Sequence, residues 1–245
     1  MIENDSHDIR NNLAVTLTNL ALVSEFADQS VLYQEARTLL WSCCEPSAQP
    51  THLLARRLAK IDALEGLTAK ALGKVDDARR LCTSGIALLV PHVEANPAVN
   101  DYRLLLINLY LQLGELQGLT DEGISTLILA RMNQQILCQA NSSGKEFRTD
   151  LIATSIKLVD IYNRMERYQE ADSMISEIIL LPEPALTCIA AARELVKFKN
   201  PMHERNILVL LKEACQNGAD RDSLKVDADF ISLFELPEFA ERIEH

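Results

Sequence analysis

The chain has 245 residues, 48% of them apolar but only 5% aromatic, and its 24 basic against 35 acidic residues give a formal net charge of −11. That balance argues against nucleic acid, whose binding needs clustered Lys and Arg, and it disfavours an anionic membrane surface. The longest apolar run, Leu104 to Leu111, is interrupted by Asn108 and is too short to span a bilayer.

In chain order, the polar and acidic opening from Met1 to Asp8 lacks the pattern of a signal peptide. A first helix is expected over about His7 to Phe26, capped by Asp5 or Ser6, with Leu13, Leu17, Leu20 and Val23 on one side. Its partner starts near Gln29, turns Leu32, Ala36, Leu39 and Leu40 inward and adds Trp41 as a large contact. Pro46 and Pro50 bracket the exit loop. A third helix runs from Thr51, its N-cap, to about Leu72, and Gly73-Lys74 turns the chain into a fourth from Val75 to about Val90, which Pro91 ends or kinks.

The fifth, from Ala98 to about Leu116, is apolar on most sides and should lie between neighbours. Asp121 begins a sixth that reaches about Gln139, and Asn141 to Gly144 form a loop. Phe147 to Ala171 reads as a helix, a short turn at Met165 to Arg167, and the start of another. Pro182-Glu183-Pro184 separates that eighth helix from Ala185 to Phe198, and a tenth from about His203 to Gln216 ends at Asn217-Gly218.

Three features recur along this series. An apolar residue, usually Arg, two variable positions and Leu appear at Ile9-Arg10-x-x-Leu13, Leu54-Ala55-x-x-Leu58, Tyr102-Arg103-x-x-Leu106 and Phe147-Arg148-x-x-Leu151, in steps of 45, 48 and 45 residues. Twelve residues on stand Ala21, Gly66, Gly114 and Val159. Acidic or amide pairs followed by a small residue come next, at Gln34-Glu35-Ala36, Asp76-Asp77-Ala78, Asp121-Glu122-Gly123 and Gln169-Glu170-Ala171. Small residues are costly inside helices, so Gly66, Gly85, Gly114 and Gly123 point to close helix packing in a repeat array.

Gly66, Gly73, Val75, Ala78 and Gly85 resemble a tetratricopeptide repeat, and Leu158, Tyr162, Tyr168 and Ala171 match the same pattern. The period and the aromatic-Arg-x-x-Leu opening are similar to arrays attached to bacterial serine/threonine protein kinases. The tail from Leu211 to Ile243, through Gly218, Asp229-Phe230, Leu233 and Pro237-Glu238-Phe239, resembles the segment that closes such arrays. The resemblance implies an all-α, right-handed superhelix of about five antiparallel helix pairs. The repeats fall at about 7–46, 51–96, 98–141, 145–182 and 185–217, the array spans 1–217, and 218–245 is a capping segment. Phe230, Leu233, Phe234, Leu236 and Phe239 would plug the last groove.

In this family the first helix of each pair lines a concave groove. The resemblance places Thr18, Leu22 and Glu25 there, then Lys60, Leu67 and Lys70, then Asn108, Leu111 and Glu115, and finally Ile156, Asp160 and Asn163. Lys60 and Lys70 with Asn108 are placed to hold a carboxylate-bearing peptide by charge-assisted hydrogen bonds. The family's chaperone-tail clamp wants Lys and Asn where Thr18 and Leu22 stand, so that partner is not implied.

Catalytic and metal patterns are missing from the sequence. It has no Gly-rich phosphate loop, no His-Arg-Asp and no Asp-Phe-Gly. His7, His52, His92, His203 and His245 show no ligand spacing. Asp220-x-Asp222 and Asp227-x-Asp229 suggest calcium, but Lys225 and Ile231 stand where an EF-hand requires Gly and Glu, so helix capping is the better reading. Six scattered cysteines without a C-x-x-C are expected as reduced core thiols.

The expectation is a cytoplasmic, non-enzymatic protein-binding module with no cofactor and no metal, binding a peptide or protein and neither nucleic acid nor membrane. It would be part of a larger bacterial signalling protein such as a kinase. A stand-alone sensor taking a small ligand or controlling an enzyme is the alternative, as is a module that self-associates through an uncapped N-terminal end.

Overall fold

The computed structural model describes residues 2–44, 50–141, 145–198 and 203–235. Among them the chain is all-helical, with twelve helices and no strand. The expectations for Pro46, Ser142 to Gly144, Pro201 and the tail beyond Glu235, Leu236 and Phe239 included, lie outside the described residues. The chain divides into two compact units, Met1–Asn133 and Gln134–His245, with the boundary inside the sixth helix.

Unit 1 contains α1 (Ile2–Val23), α2 (Phe26–Trp41), α3 (His52–Ala71), α4 (Val75–Ala95), α5 (Asn100–Gln117) and most of α6 (Asp121–Ala140). Each of α1 to α4 packs on the helix after it, and α3 also touches α5. One apolar cluster joins Ala14 and Ala21 of α1, Tyr33, Ala36 and Leu40 of α2, and Leu54, Leu58 and Ile61 of α3. A second joins Ala59, Ala63, Cys82, Leu89, Tyr102, Leu106 and Leu109 across α3, α4 and α5.

Tight packing against the missing side chain accounts for three of the four helical glycines, by leucine side chains at Gly85 and Gly114 and by backbone at Gly123. A Cβ on Gly85 would sit 2.9 Å from Leu109, one on Gly114 2.7 Å from Leu127, and one on Gly123 2.5 Å from the carbonyl oxygen of Gly118. Gly66 is the exception: its Cβ would meet Cys82 and Gln112 at an ordinary 3.5 Å.

Unit 2 contains the end of α6, then α7 (Lys145–Arg164), α8 (Tyr168–Ile179), α9 (Pro184–Lys197), α10 (Glu204–Gln216) and the short α11 (Arg221–Lys225) and α12 (Ile231–Phe234). Here α7 packs on α8 and α9, α8 on α9 and α10, and α9 on α10. Phe230 is fully buried. Leu233 and Phe234 are half-buried.

The recurrent arginine ties together the two helices of a pair in three places. Arg10 Nη1 donates to the carbonyl oxygen of Ser42, just past α2, at 3.1 Å. Arg103 Nη1 donates to Asn133 Oδ1 on α6 at 2.8 Å, and Arg148 Nη1 to Glu183 Oε2, beyond α8, at 2.8 Å. In the second repeat, which lacks it, the neighbouring Arg56 instead reaches Asp101 of α5 at 2.8 Å.

Several local expectations are corrected. Helix α1 starts at Ile2, so Asp5 and Ser6 lie inside it, and the Ser6 hydroxyl accepts a hydrogen bond from Arg10. Thr51 sits at the N-cap of α3 without a side-chain capping bond. Pro91 does not end α4, which continues to Ala95 because Val93 is buried in the cluster of Leu89, Tyr102 and Leu106. Trp41 is 45% exposed, and the aromatic anchor of α2 is Tyr33, which shares a face with Ala36 and Leu40.

Candidate interaction surface

On unit 1 the residues expected in a groove are partly brought together. Lys70 Nζ lies 2.7 Å from Glu115 Oε2, which links α3 to α5 one repeat step apart, just as Arg56 and Asp101 are linked. Both ends of the Lys70 pair are well exposed, so it contributes at most about 1 kcal/mol. It nevertheless occupies the ammonium that was expected to hold a partner's carboxylate. Asn108 is engaged as well, since its Oδ1 accepts from Gln112 Nε2. Leu22 is 51% and Leu67 45% exposed, Leu111 is half-buried, and Glu25 is exposed between α1 and α2.

Thr18 and Lys60 meet at one place. Both line a cavity of about 40 Å³ between α1, α2 and α3, together with Asn19 and Arg57. Thr18 itself is buried, and its hydroxyl donates back to the carbonyl oxygen of Ala14 at 2.7 Å. Lys60 is exposed and makes no hydrogen bond or ion pair among the described residues. Arg57 Nη1 is buried with no hydrogen-bond partner among them. A buried guanidinium nitrogen left unpaired is costly, and an ammonium beside the same recess adds to the demand for an acceptor. Sequence reading missed Arg57, although its place three residues before Lys60 puts both cations on one face of α3.

Unit 2 departs from the expected groove. Ile156, Asp160 and Asn163 are 0%, 5% and 4% exposed, so they offer no open surface. Asp160 and Asn163 are covered by the fully buried His203, at the start of α10. Asn163 Nδ2 donates to His203 Nδ1 at 3.1 Å, and His203 Nε2 donates to Asp160 Oδ1 at 3.0 Å. The rings of Phe198 and His203 pack in a T-shaped arrangement with centroids 5.8 Å apart. With both ring nitrogens engaged and no exposure, this histidine braces α10 against α7 and is closed to a substrate.

The remaining reactive side chains are similarly quiet. Burial pushes the thiols of Cys82 and Cys188 up to about 11, which keeps them protonated, and all six cysteines are free. No group of three or more His, Cys, Asp or Glu side chains among the described residues is arranged to hold a metal ion. The aspartates of the calcium-like stretch act locally. Asp220 caps α11 by accepting from the N–H of Ser223, while Asp227 accepts from the N–H of Asp229 and from Arg193. No described helix is long and apolar enough to cross a membrane.

Compared with known proteins, the chain matches no protein-family model and no curated protein.

Proposed function

We propose that the chain is a non-catalytic protein-interaction module that holds an acidic peptide segment against the α1–α3–α5 side of unit 1. The carrying observation is the recess lined by Thr18, Asn19, Arg57 and Lys60 between α1, α2 and α3, where neither Arg57 Nη1 nor the Lys60 ammonium has a partner among the described residues. A partner's Asp or Glu would supply both cations with charge-assisted hydrogen bonds. Leu22, Leu67 and Leu111 would give apolar contact along the peptide, and Glu25 and the Lys70–Glu115 pair would select against flanking charge of the wrong sign.

Neighbour-on-neighbour packing within each unit supports a tetratricopeptide-like superhelix of about five pairs as the larger architecture. A bacterial cytoplasmic signalling protein, such as a serine/threonine kinase carrying this array, remains the proposed setting. The test is selection of ten-residue peptides from a random display library on the wild-type chain and on Lys60→Glu. Enrichment of Asp or Glu on the wild type, lost with Lys60→Glu and kept with Lys70→Ala, supports the reading. Recovery of the same peptides by wild type and Lys60→Glu would overturn it.

A second reading, self-association, is favoured by α1. Ile9, Leu13, Leu20 and Val23 are 66%, 46%, 48% and 82% exposed, and with Thr16 they follow the alternating three- and four-residue spacing of a coiled-coil seam. A second copy of α1 fits that seam. Light scattering decides, with a strict monomer at high concentration ruling it out and a dimer abolished by Leu13→Asp with Leu20→Asp supporting it.

A further inference from the structure

We infer that unit 2 carries a binding site for a small monocarboxylic acid with a short apolar body, independent of the peptide surface on unit 1. The site is a cavity of about 300 Å³ between the end of α6, the start of α7 and the turn after α8. That volume reaches the range of small-molecule pockets, which combine apolar walls with a few placed polar groups. Leu151, Leu181 and Pro182 form the apolar side here, while Arg148 and the amides of Gln135 and Gln139 supply the polar one.

The chain's own carboxylate shows what Arg148 accepts. Glu183 Oε2 lies 2.8 Å from Arg148 Nη1, but the glutamate side chain is 50% exposed while the arginine is only 16% exposed. A half-exposed pair of this kind is weak. An incoming carboxylate attached to an apolar body would replace Glu183 on the guanidinium and bury its own chain against Leu151 and Leu181 as well. Displacing Glu183 needs only rotation of its side chain. Its backbone stays fixed, because its carbonyl oxygen accepts from the N–H of Thr187 at 3.0 Å. The wall holds too, since the buried Thr187 hydroxyl donates to the carbonyl oxygen of Pro182 at 2.7 Å. Cys138 also lines the cavity, and burial pushes its thiol up, so it meets the ligand as a neutral, non-nucleophilic group.

Calorimetric titration of the full chain with sodium hexanoate, and with hexanamide as its neutral counterpart, tests the site. Hexanoate should bind saturably and hexanamide about tenfold more weakly. Arg148→Gln should weaken hexanoate by about tenfold or more, whereas Glu183→Gln, by removing the internal competitor, should strengthen it several-fold. The Glu183→Gln arm keeps the test decisive if Arg148→Gln disturbs folding. The inference is overturned if neither wild type nor Glu183→Gln shows saturable hexanoate binding. Equal binding of acid and amide, or weaker binding by Glu183→Gln, would overturn it too.

Discussion

Two Gly→Ala substitutions with opposite expected signs test whether close helix approach explains the small residues. Gly66 and Gly123 both lie within helices, where Ala is favoured over Gly by about 1 kcal/mol on propensity alone. At Gly66 the new methyl would find Cys82 and Gln112 at 3.5 Å, within ordinary contact, so nothing opposes the gain. Gly66→Ala should stabilise by about 0.5–1 kcal/mol, which is roughly 1–4 °C in Tm for a chain of this size.

At Gly123 the methyl would lie 2.5 Å from the Gly118 carbonyl oxygen, well inside the 3.4 Å at which ordinary contact begins. The obstacle is backbone and cannot rotate away. Gly118 has φ +68 and ψ −145, a conformation reserved for glycine, so the turn has little freedom to adjust. Overpacking of this kind costs about 1–3 kcal/mol, and the first-turn position limits the propensity gain. Gly123→Ala should therefore destabilise by about 1–2 kcal/mol. Urea titration followed by far-UV circular dichroism, with m-values compared across the variants, reads both effects. A Gly123→Ala chain as stable as wild type, or a Gly66→Ala chain less stable by a similar amount, would refute the reasoning.

Glu166 ends α7 with φ +59, and the N–H groups of Glu166 and Arg167 close back on the carbonyl oxygens of Asn163 and Tyr162. Gly73 fills the same place after α3, so Glu166→Gly should raise stability by about 0.5–1 kcal/mol in the same urea assay. His203→Ala should cost about 3 kcal/mol, because it removes the buried partner that Asp160 and Asn163 share and leaves Asp160 only the longer contact to Arg164, whereas His203→Leu with Asp160→Leu should regain part of that loss in a double-mutant cycle. The Asp227 carboxyl is held below its usual range by the N–H of Asp229 and by Arg193. A depressed carboxyl stabilises above its unfolded value and loses that contribution as pH falls through the folded one, so the protection factors of the amides around Phe230, with intrinsic exchange divided out, should fall in acid below about pH 4 and stay flat above it. Equal acid sensitivity in Asp227→Asn would refute that assignment.

Helix boundaries were legible where punctuation was strong. The turn at Met165 to Arg167 and the break before Pro184 follow from local chemistry alone. Pro91 misled because α4 runs on past it to bury Val93 against Tyr102 and Leu106 of the next helix, and Trp41 misled because its size says nothing of the face on which it stands. The groove residues were legible as helix positions but not as surfaces. The covering of Asp160 and Asn163 by His203 depends on a residue 43 positions beyond Asp160, which no repeat pattern announces. Arg57 needed the cavity to be seen. The engagement of Lys70 by Glu115 was open to arithmetic, since the two stand one 45-residue step apart.

The arginine tethers also bear on how such a chain comes together. Each spans a short segment, 32 residues from Arg10 to Ser42, 30 from Arg103 to Asn133 and 35 from Arg148 to Glu183. The first two keep both ends within one hairpin and the third ends at Glu183, just past α8, so each can latch while the rest of the polypeptide is still loose, and closure of such short segments is fast. A cassette latched from within can be added or removed with its fastening intact.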